Sequence, residues 1–260
     1  MSDEKFPTID SHCHLDYFKS VDPSQVIREA KERGVFSLIT IAVSPDNLGL
    51  VLDLATKYPD VYCTQGIHPH QAKLFDQSVA NTIRHNCQNA KVRAIGEIGL
   101  DYHYNHSPQD VQKEAFHQQL QLATDLSLPV VLHTREAEND TMNTLKAFPS
   151  LKGKVLVHSF TSHTEFARWA LDQDFYFGFN GIITFKGAQD LRDILKFIPL
   201  DKILLETDSP FLAPVPHRGR ENYPANIPLI AQAIAKIKRL PPEQIAQQTT
   251  ANCCRFFSLK

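Results

Sequence analysis

The sequence lacks the features that mark several common classes of protein. None of its apolar runs approaches the roughly 18 residues of a membrane-spanning helix. Its five cysteines are an odd number without a C-x-x-C pair, which argues against a disulfide framework and a zinc ribbon. The N-terminal stretch MSDEKFPTID is acidic and has no apolar core of a signal peptide. Since free thiols are typical of a reducing compartment, we expect a soluble cytoplasmic protein with no membrane association.

A strong net charge is also missing. The 27 basic and 29 acidic residues give a formal net charge of −2. This balance argues against purely electrostatic binding of long duplex DNA or anionic lipid, although it is compatible with a local basic rim around a site. Hydrophobic residues make up 42% and charged residues 22% of the chain, as in ordinary globular proteins. Disorder, collagen-like repeats and a coiled coil are therefore excluded.

Short β-branched runs alternate with longer amphipathic segments along the chain. Runs of this kind, bounded by polar, Gly or Pro residues, are typical of strands. The sequence predicts eight strands: Thr8–His14, Ser37–Val43, Val61–His68, Val92–Ile98, Pro129–His133, Lys154–His158, Phe175–Phe179 and Lys202–Glu206. Eight strands that alternate with helices imply a parallel sheet, because parallel neighbours need crossover connections.

Two predicted helices carry clear signals. Ser107–Leu126 is expected to be a helix with Ser107 as its cap and Pro108 at its first position. The apolar face of a later helix is marked by isoleucines spaced three, four and three residues apart: Ile227, Ile230, Ile234 and Ile237. The segment PPEQIAQQTTANCCRFF is expected to form a final helix.

These elements favour a barrel over an open sheet. A doubly wound dinucleotide fold usually has a glycine-rich turn after its first strand, and the corresponding turn here, HCHLDYF, contains no glycine. Dividing 260 residues by eight gives about 32 residues per unit, and βα barrels typically have roughly 250 residues. No linker or internal repeat is visible. We predict that residues 1–260 form one domain with an α/β fold, a (β/α)8 TIM barrel.

Metal-binding residue types recur at the C-terminal ends of the predicted strands, where βα barrels build their active sites. They are His12, His14, His68, His70, Glu97, His133, His158 and Asp208. The 85 residues from His12 to Glu97 span three strand steps, and the 50 residues from His158 to Asp208 span two. These similar steps of 25–28 residues predict one ring of polar groups.

The H-x-H pair is informative because residues i and i+2 of a strand share a face. His12 and His14 should therefore point into the barrel mouth and Cys13 away from it. Two imidazoles and a carboxylate suit a divalent transition metal. For each histidine taken alone, a structural role in the core is the competing interpretation.

Carboxylates complete the expected site. Glu97, flanked by Gly96 and Gly99, could bridge two cations, and His133 and His158 would then serve the second. Asp208 is placed to bind the first cation or to accept a proton from a metal-bound water, with Glu206 as a supporting candidate. The competing interpretations are an exposed Glu97 beyond a glycine turn and an Asp208 that only caps a turn.

Seven segments resemble the motifs of the TatD family of metal-dependent hydrolases and deoxyribonucleases: SHCHLD, GIHPH, GEIGLDYHY, LHTRE, VHSF, ETDSPFLAPVPHRGREN and TTANCCRFF. They stand in family order and cover nearly the whole chain. The resemblance implies a barrel with two divalent cations (Zn, Mn or Mg) that cleaves phosphodiester bonds of DNA, often from a 3′ end. It also implies two ligand sets that share Glu97: His12, His14, Glu97 and Asp208 for the first cation, and Glu97, His133 and His158 for the second.

The expected substrate is single-stranded or frayed DNA ends, cleaved in a 3′–5′ exonuclease-like reaction by a metal-activated water. Glu97 and Asp208 are the expected catalytic residues. Cations and imidazoles for substrate binding are expected from His68, Arg135, His163 and Arg218, with stacking from Tyr102, Tyr104 or Phe211, although Phe211 is equally compatible with core packing. No obligate protein partner is inferred.

Two other functions compete with this one. Amidohydrolases of small esters and amides also carry H-x-H on the first strand and a late Asp, but many bridge their metals with a modified lysine on the fourth strand. Here Glu97 ends that predicted strand, and Lys91 lies at its start. A non-catalytic binding protein is the other alternative, and the intact set of ligand residues argues against it.

Overall fold

The structure is a computed structural model that describes residues 6–259. Its strands are β1 (Thr8–Cys13), β2 (Val35–Thr40), β3 (Val61–Gln65), β4 (Val92–Asp101), β5 (Val130–Arg135), β6 (Val155–Val157), β7 (Tyr176–Phe179) and β8 (Ile203–Leu205). Its α-helices are α1 (Pro23–Glu32), α2 (Leu48–Lys57), α3 (Gln77–Asn86), α4 (Gln109–Leu126), α5 (Glu138–Leu145), α6 (Thr164–Asp172), α7 (Gln189–Phe197), α8 (Ile227–Lys238) and α9 (Pro242–Phe257). Strands and helices thus alternate from β1 to α8.

The eight strands belong to one sheet in the order β1 to β8, with neighbours joined by hydrogen bonds. The pairs β3–β4, β4–β5, β5–β6 and β7–β8 are parallel. Just beyond β8, Ser209 forms a parallel bridge with Cys13 at the end of β1. This strand order confirms the predicted (β/α)8 barrel.

Contacts within the chain define two compact units. One consists of residues 6–39 and 177–259 and is called the terminal unit below; the other consists of residues 40–176 and is called the central unit. The expectation of a single domain over residues 1–260 stays a prediction. The expectation of no signal peptide rests on the acidic N-terminal stretch. The first five residues of that stretch, residues 1–5, lie outside the described residues.

The terminal unit buries its strands on both faces. Every residue of β1, β7 and β8 is buried, as is usual for parallel strands covered by helices. Helix α8 packs against β1 and β8 with Ile227, Ile230 and Ile234, whose side chains are fully buried. Ile237 is only partly buried, so three of the four predicted isoleucines form the packed face. Helix α9 is the predicted final helix.

The start of helix α4, in the central unit, differs from the prediction. Helix α4 starts at Gln109 with Pro108 as its N-cap, one residue later than expected. Ser107 does not cap the helix, because its hydroxyl donates to the carbonyl of His70 at 3.0 Å. The buried amide of Gln112 donates to the carbonyls of Ser107 and Asp101 at 2.8 and 3.0 Å. The hydroxyl that was expected to start the helix therefore fixes a loop.

Strand β4 is longer than predicted and runs on to Asp101. Its register against β5 shifts between Ile95 and Ile98, after which Gly99 aligns with His133. Gly99 has a φ of +144°, and a Cβ placed there would collide with the carbonyl oxygen of His133. A glycine is needed here because the two backbones approach so closely. Glu97 consequently lies inside the strand and not at its end.

Among residues 6–259, no helix is both long enough and apolar enough to cross a membrane.

The close approach at Gly99 predicts a large cost for any side chain. Gly99→Ala should lower the free energy of unfolding by about 3 kcal/mol, through overpacking and an unfavourable φ. Gly187→Ala is the matched control, because a Cβ at Gly187 would meet nothing within 4 Å. Urea denaturation of both variants measures the difference. Equal stability of the two variants would contradict the assigned backbone geometry.

Candidate metal centre

A carboxylate surrounded by imidazoles lies in the central unit. Glu97 on β4 is almost fully buried. Its Oε1 is 2.9 Å from Nδ1 of His133, 3.5 Å from Nε2 of His68 and 3.9 Å from Nε2 of His158. Ligand atoms of His68, Glu97 and His133 all lie within 4.8 Å of one another. This mixture of imidazole nitrogen and carboxylate oxygen is a donor set that divalent transition metals prefer.

Asp101 orients His133 from the other side of the ring. Its Oδ2 accepts hydrogen bonds from Nε2 of His133 at 2.9 Å and from Nε2 of His70 at 3.0 Å. The Nε2 proton of His133 is thereby held on Asp101, and Nδ1 is directed at Glu97. Carboxylates commonly orient metal-binding histidines in this way. The ring of His133 thus presents Nδ1, and not Nε2, to the Glu97 carboxylate.

Sequence reasoning missed Asp101 as a member of this cluster. A signal was present, because Glu97, Gly99 and Asp101 stand at alternate positions of one run, and alternate residues of a strand share a face. The expectation that the strand stops at Ile98 placed Asp101 in a loop. The same carboxylate also accepts a hydrogen bond from the backbone N–H of Tyr104 at 2.9 Å, which fixes the start of that loop.

Electrostatics divide the roles of these groups. Burial opposes charge on Asp101 and on His133. Hydrogen bonds from His133 and His70 nevertheless hold the pKa of Asp101 below its usual range, and hydrogen bonds with Asp101 and Glu97 raise the pKa of His133 above its ordinary value. Burial lowers the pKa of His68 to about 4, so its ring is neutral at pH 7. The Nδ1 atom of His68 accepts the backbone N–H of His70 at 3.1 Å. The ring proton therefore sits on Nε2, and His68 is a donor toward Glu97.

The terminal unit holds a second group of ligand-type side chains. Oδ1 of Asp208 is 3.3 Å from Nε2 of His14 and 3.7 Å from Nε2 of His12. Cys13 points the other way, and its thiol donates to the carbonyl of Ile39 at 3.5 Å. This alternation is the one expected for H-x-H on a strand. The backbone N–H of Asp208 donates to the carbonyl of His12 at 2.9 Å, which explains how the two strand ends meet.

A buried carboxylate holds these two strand ends together. Asp10 is fully buried, and its oxygens accept the backbone N–H groups of His12 and Thr207 at 3.2 and 2.9 Å and the Thr207 hydroxyl at 2.5 Å. Burial raises the pKa of Asp10 to about 8. Glu206 is also fully buried and lies against Gly178, where a Cβ would collide with its carboxylate. The role of Asp10 does not follow from the sequence, because its main partner, Thr207, is 197 residues away.

The expected substrate-binding residues lie in different settings. Arg135 is exposed and covers the ring of Tyr104 at 4.8 Å, and Arg218 is exposed and covers Phe185 at 4.3 Å. His163 caps helix α6, since its Nδ1 accepts the N–H of Phe166 at 3.3 Å. With His68 beside Glu97, the role of all four residues in substrate binding stays a prediction.

A comparison with known families decides the relationship. The family model of TatD related DNases matches residues 9–258. The chain belongs to the TatD family. A relative from Escherichia coli K12, the uncharacterized metal-dependent hydrolase YcfH, is 38% identical over 96% of each chain. The crystal structure of YjjV, a TatD homologue from the same strain, superposes with a TM-score of 0.91 at 29% identity and covers 97% of this chain and 98% of its own. This TatD-family protein is a metal-dependent hydrolase.

A further TatD relative carries a more specific name. The protein from Erwinia tasmaniensis, named 3′-5′ ssDNA/RNA exonuclease TatD, is 37% identical over 92% of this chain and 94% of its own.

The orientation of His133 by Asp101 can be tested by metal affinity. Asp101→Asn should weaken metal binding roughly 10- to 100-fold, because the acceptor that orients the ring is lost. Glu136→Gln is a matched control, since Glu136 accepts from His103 at 2.6 Å but its side chain is 64% exposed. Titration with Zn²⁺ or Mn²⁺ against a competing chelator measures both variants. Unchanged affinity in Asp101→Asn would rule out the orienting role.

Proposed function

We propose that this TatD-family hydrolase is a deoxyribonuclease that removes nucleotides from single-stranded or frayed DNA ends in the 3′–5′ direction. The observation that carries the proposal is the buried Glu97 carboxylate, whose Oε1 lies within 3.9 Å of nitrogen atoms of His68, His133 and His158. Such a nitrogen and oxygen donor set suits the metal-assisted hydrolysis of phosphate esters. The name of the Erwinia tasmaniensis relative supports DNA or RNA as the substrate.

Two divalent cations are the proposed cofactors. In this proposal His12, His14, Glu97 and Asp208 hold the first, and Glu97, His133 and His158 hold the second. Support comes from the sheet, because all of these residues lie on or just after strands of one parallel sheet, and active sites of βα barrels form at the carboxyl ends of the strands. The imidazole donors favour Zn or Mn, and the family resemblance adds Mg.

When bound, such cations lower the pKa of a water molecule and stabilise charge on the phosphate and the leaving oxygen. Asp208 is the proposed group that orients that water and accepts its proton. Its side chain is 16% exposed, so that solvent reaches the carboxylate, while His12 beside it is fully buried. The left-handed backbone of Asp208, with φ at +56°, turns the chain just after the strand and presents this carboxylate there.

Substrate binding is assigned to local groups, because the net charge of −2 provides no general attraction for DNA. Arg135 and Arg218 are the proposed phosphate contacts, with His68 and His163 as further donors. Arg135 is exposed at the end of strand β5, and Arg218 is exposed on the loop that follows strand β8. Phosphate contacts of this kind position a nucleic acid without reading its sequence. The proposal therefore expects little sequence preference.

Replacement of the shared carboxylate tests the function directly. Glu97→Gln should lose bound metal and at least 100-fold of its activity on a labelled single-stranded oligonucleotide, because the carboxylate proposed to serve both cations loses its charge. Glu114→Gln, an exposed substitution on α4, should leave both unchanged. Chelator should abolish wild-type cleavage, and re-added Mn²⁺ should restore it.

Small esters and amides are assayed alongside the oligonucleotide. Full nuclease turnover by Glu97→Gln would contradict the proposed site. Hydrolysis of a small ester or amide by the wild type, with no cleavage of any oligonucleotide, would contradict the proposed substrate.

A further inference from the structure

Two exposed aromatic rings stand beside His14 in the terminal unit. Tyr17, in the short turn after β1, stacks on the imidazole of His14 with ring centroids 5.0 Å apart and planes inclined by 19°. Phe211, in the loop after β8, meets the same imidazole at 6.2 Å and the Tyr17 ring at 6.1 Å, almost perpendicular to the latter at 86°. Tyr17 is 37% and Phe211 50% exposed. The two rings form an aromatic corner at a proposed metal ligand.

The exposure of Phe211 answers the question that its sequence context left open. A phenylalanine of the core would be almost fully buried, as Phe177 and Phe179 of the same unit are. Half of the Phe211 side chain instead faces solvent. Large apolar groups left exposed beside a polar site are informative, since burial of the ring would be favourable. The core-packing interpretation of Phe211 is therefore wrong.

The backbone fixes Phe211 relative to Asp208. Its N–H donates to the carbonyl of Asp208 at 2.9 Å, and the carbonyl of Pro210 accepts the N–H of Asn222 at 2.9 Å. The next residue, Leu212, has a left-handed φ of +56°, and its carbonyl lies so close to Gly181 that a Cβ there would collide with it. The exposed ring is thus held by a constrained turn and not by a loose loop.

The geometry suits a planar heteroaromatic group. The rings of Tyr17 and Phe211 are almost perpendicular. A flat ligand ring can therefore stack face to face on Phe211 and at the same time contact Tyr17 with its edge, since aromatic rings favour both arrangements. Nucleobases stack on aromatic side chains with little dependence on their identity, since every base has a π-face. The loop that carries Phe211 also carries the exposed Arg218, a cation suited to a phosphate of the same strand.

We propose that Tyr17 and Phe211 form a stacking site for a nucleobase that flanks the scissile phosphate. This inference rests on the proposed function and deepens it, because it makes a base, and not only a phosphodiester, part of what the site recognises. Stacking beside His14 would place the base next to a metal ligand and so bring its own phosphate to the reacting groups. Aliphatic phosphodiesters would lack this contact and should be poor substrates.

The test removes the ring and the base separately. Two labelled oligonucleotides are compared, one with ordinary 3′-terminal nucleotides and one in which both nucleotides that flank the scissile phosphate are abasic. Phe211→Ala should lower kcat/KM on the first substrate roughly 5- to 100-fold, mainly through KM, by loss of one stacking partner. On the abasic substrate the variant and the wild type should agree within about twofold. Phe211→Trp should restore activity on the first substrate.

Two controls separate stacking from structural damage. Phe36 is 41% exposed and lies near the start of strand β2, whereas Phe211 follows the end of strand β8. Phe36→Ala should therefore behave like the wild type on both substrates. The metal content of Phe211→Ala should equal that of the wild type. An equal loss on both substrates, a loss of metal, or no loss on the base-bearing substrate would overturn the stacking site while the nuclease function stands. Failure of the wild type to cleave either oligonucleotide would overturn the proposed function, and the stacking site with it.

Discussion

The hydrogen bond between His133 and Asp101 is the interaction on which the geometry of the central unit depends. It joins a strand that changes register to its neighbour, and it settles which nitrogen of His133 faces Glu97. The Asp101 carboxylate is buried and would be costly without a partner, and the half-buried ring of His133 supplies one. The approach of the two strands at Gly99 allows this pair to form. Backbone shape and site chemistry are thus parts of one arrangement.

The two units bring their ligand-type side chains together in different ways. In the terminal unit, strand alternation directs His12 and His14 to one side, and the left-handed backbone of Asp208 turns its carboxylate toward them. In the central unit, imidazoles approach the Glu97 carboxylate from the loop after β3, from β5 and from the residue after β6. The first arrangement is local along each strand, whereas the second depends on register between strands.

This difference explains what could be predicted from the sequence. The strands, most helices and the H-x-H geometry follow from periodicity, which is a local property. Asp101 and the length of β4 were missed, because they depend on a register shift that only the neighbouring strand imposes. The predicted start of α4 was wrong for a similar reason, since the Ser107 hydroxyl donates to the carbonyl of His70, 37 residues away, and does not cap the helix. Tertiary partners, and not local propensity, decided these positions.

The hydrogen bond from the Thr207 backbone N–H to Asp10 has a consequence for the order in which the chain folds during its synthesis. It spans 197 residues, and the neighbouring bond from Ser11 to the carbonyl of Leu205 spans 194. The central unit is continuous in sequence, so its contacts form as soon as its own residues are synthesised. The first strand must instead wait for the last, and closing so long a loop is slow. During synthesis, the H-x-H pair therefore stays without the Asp208 carboxylate until 194 residues after His14 have been added, which delays assembly of this part of the proposed centre.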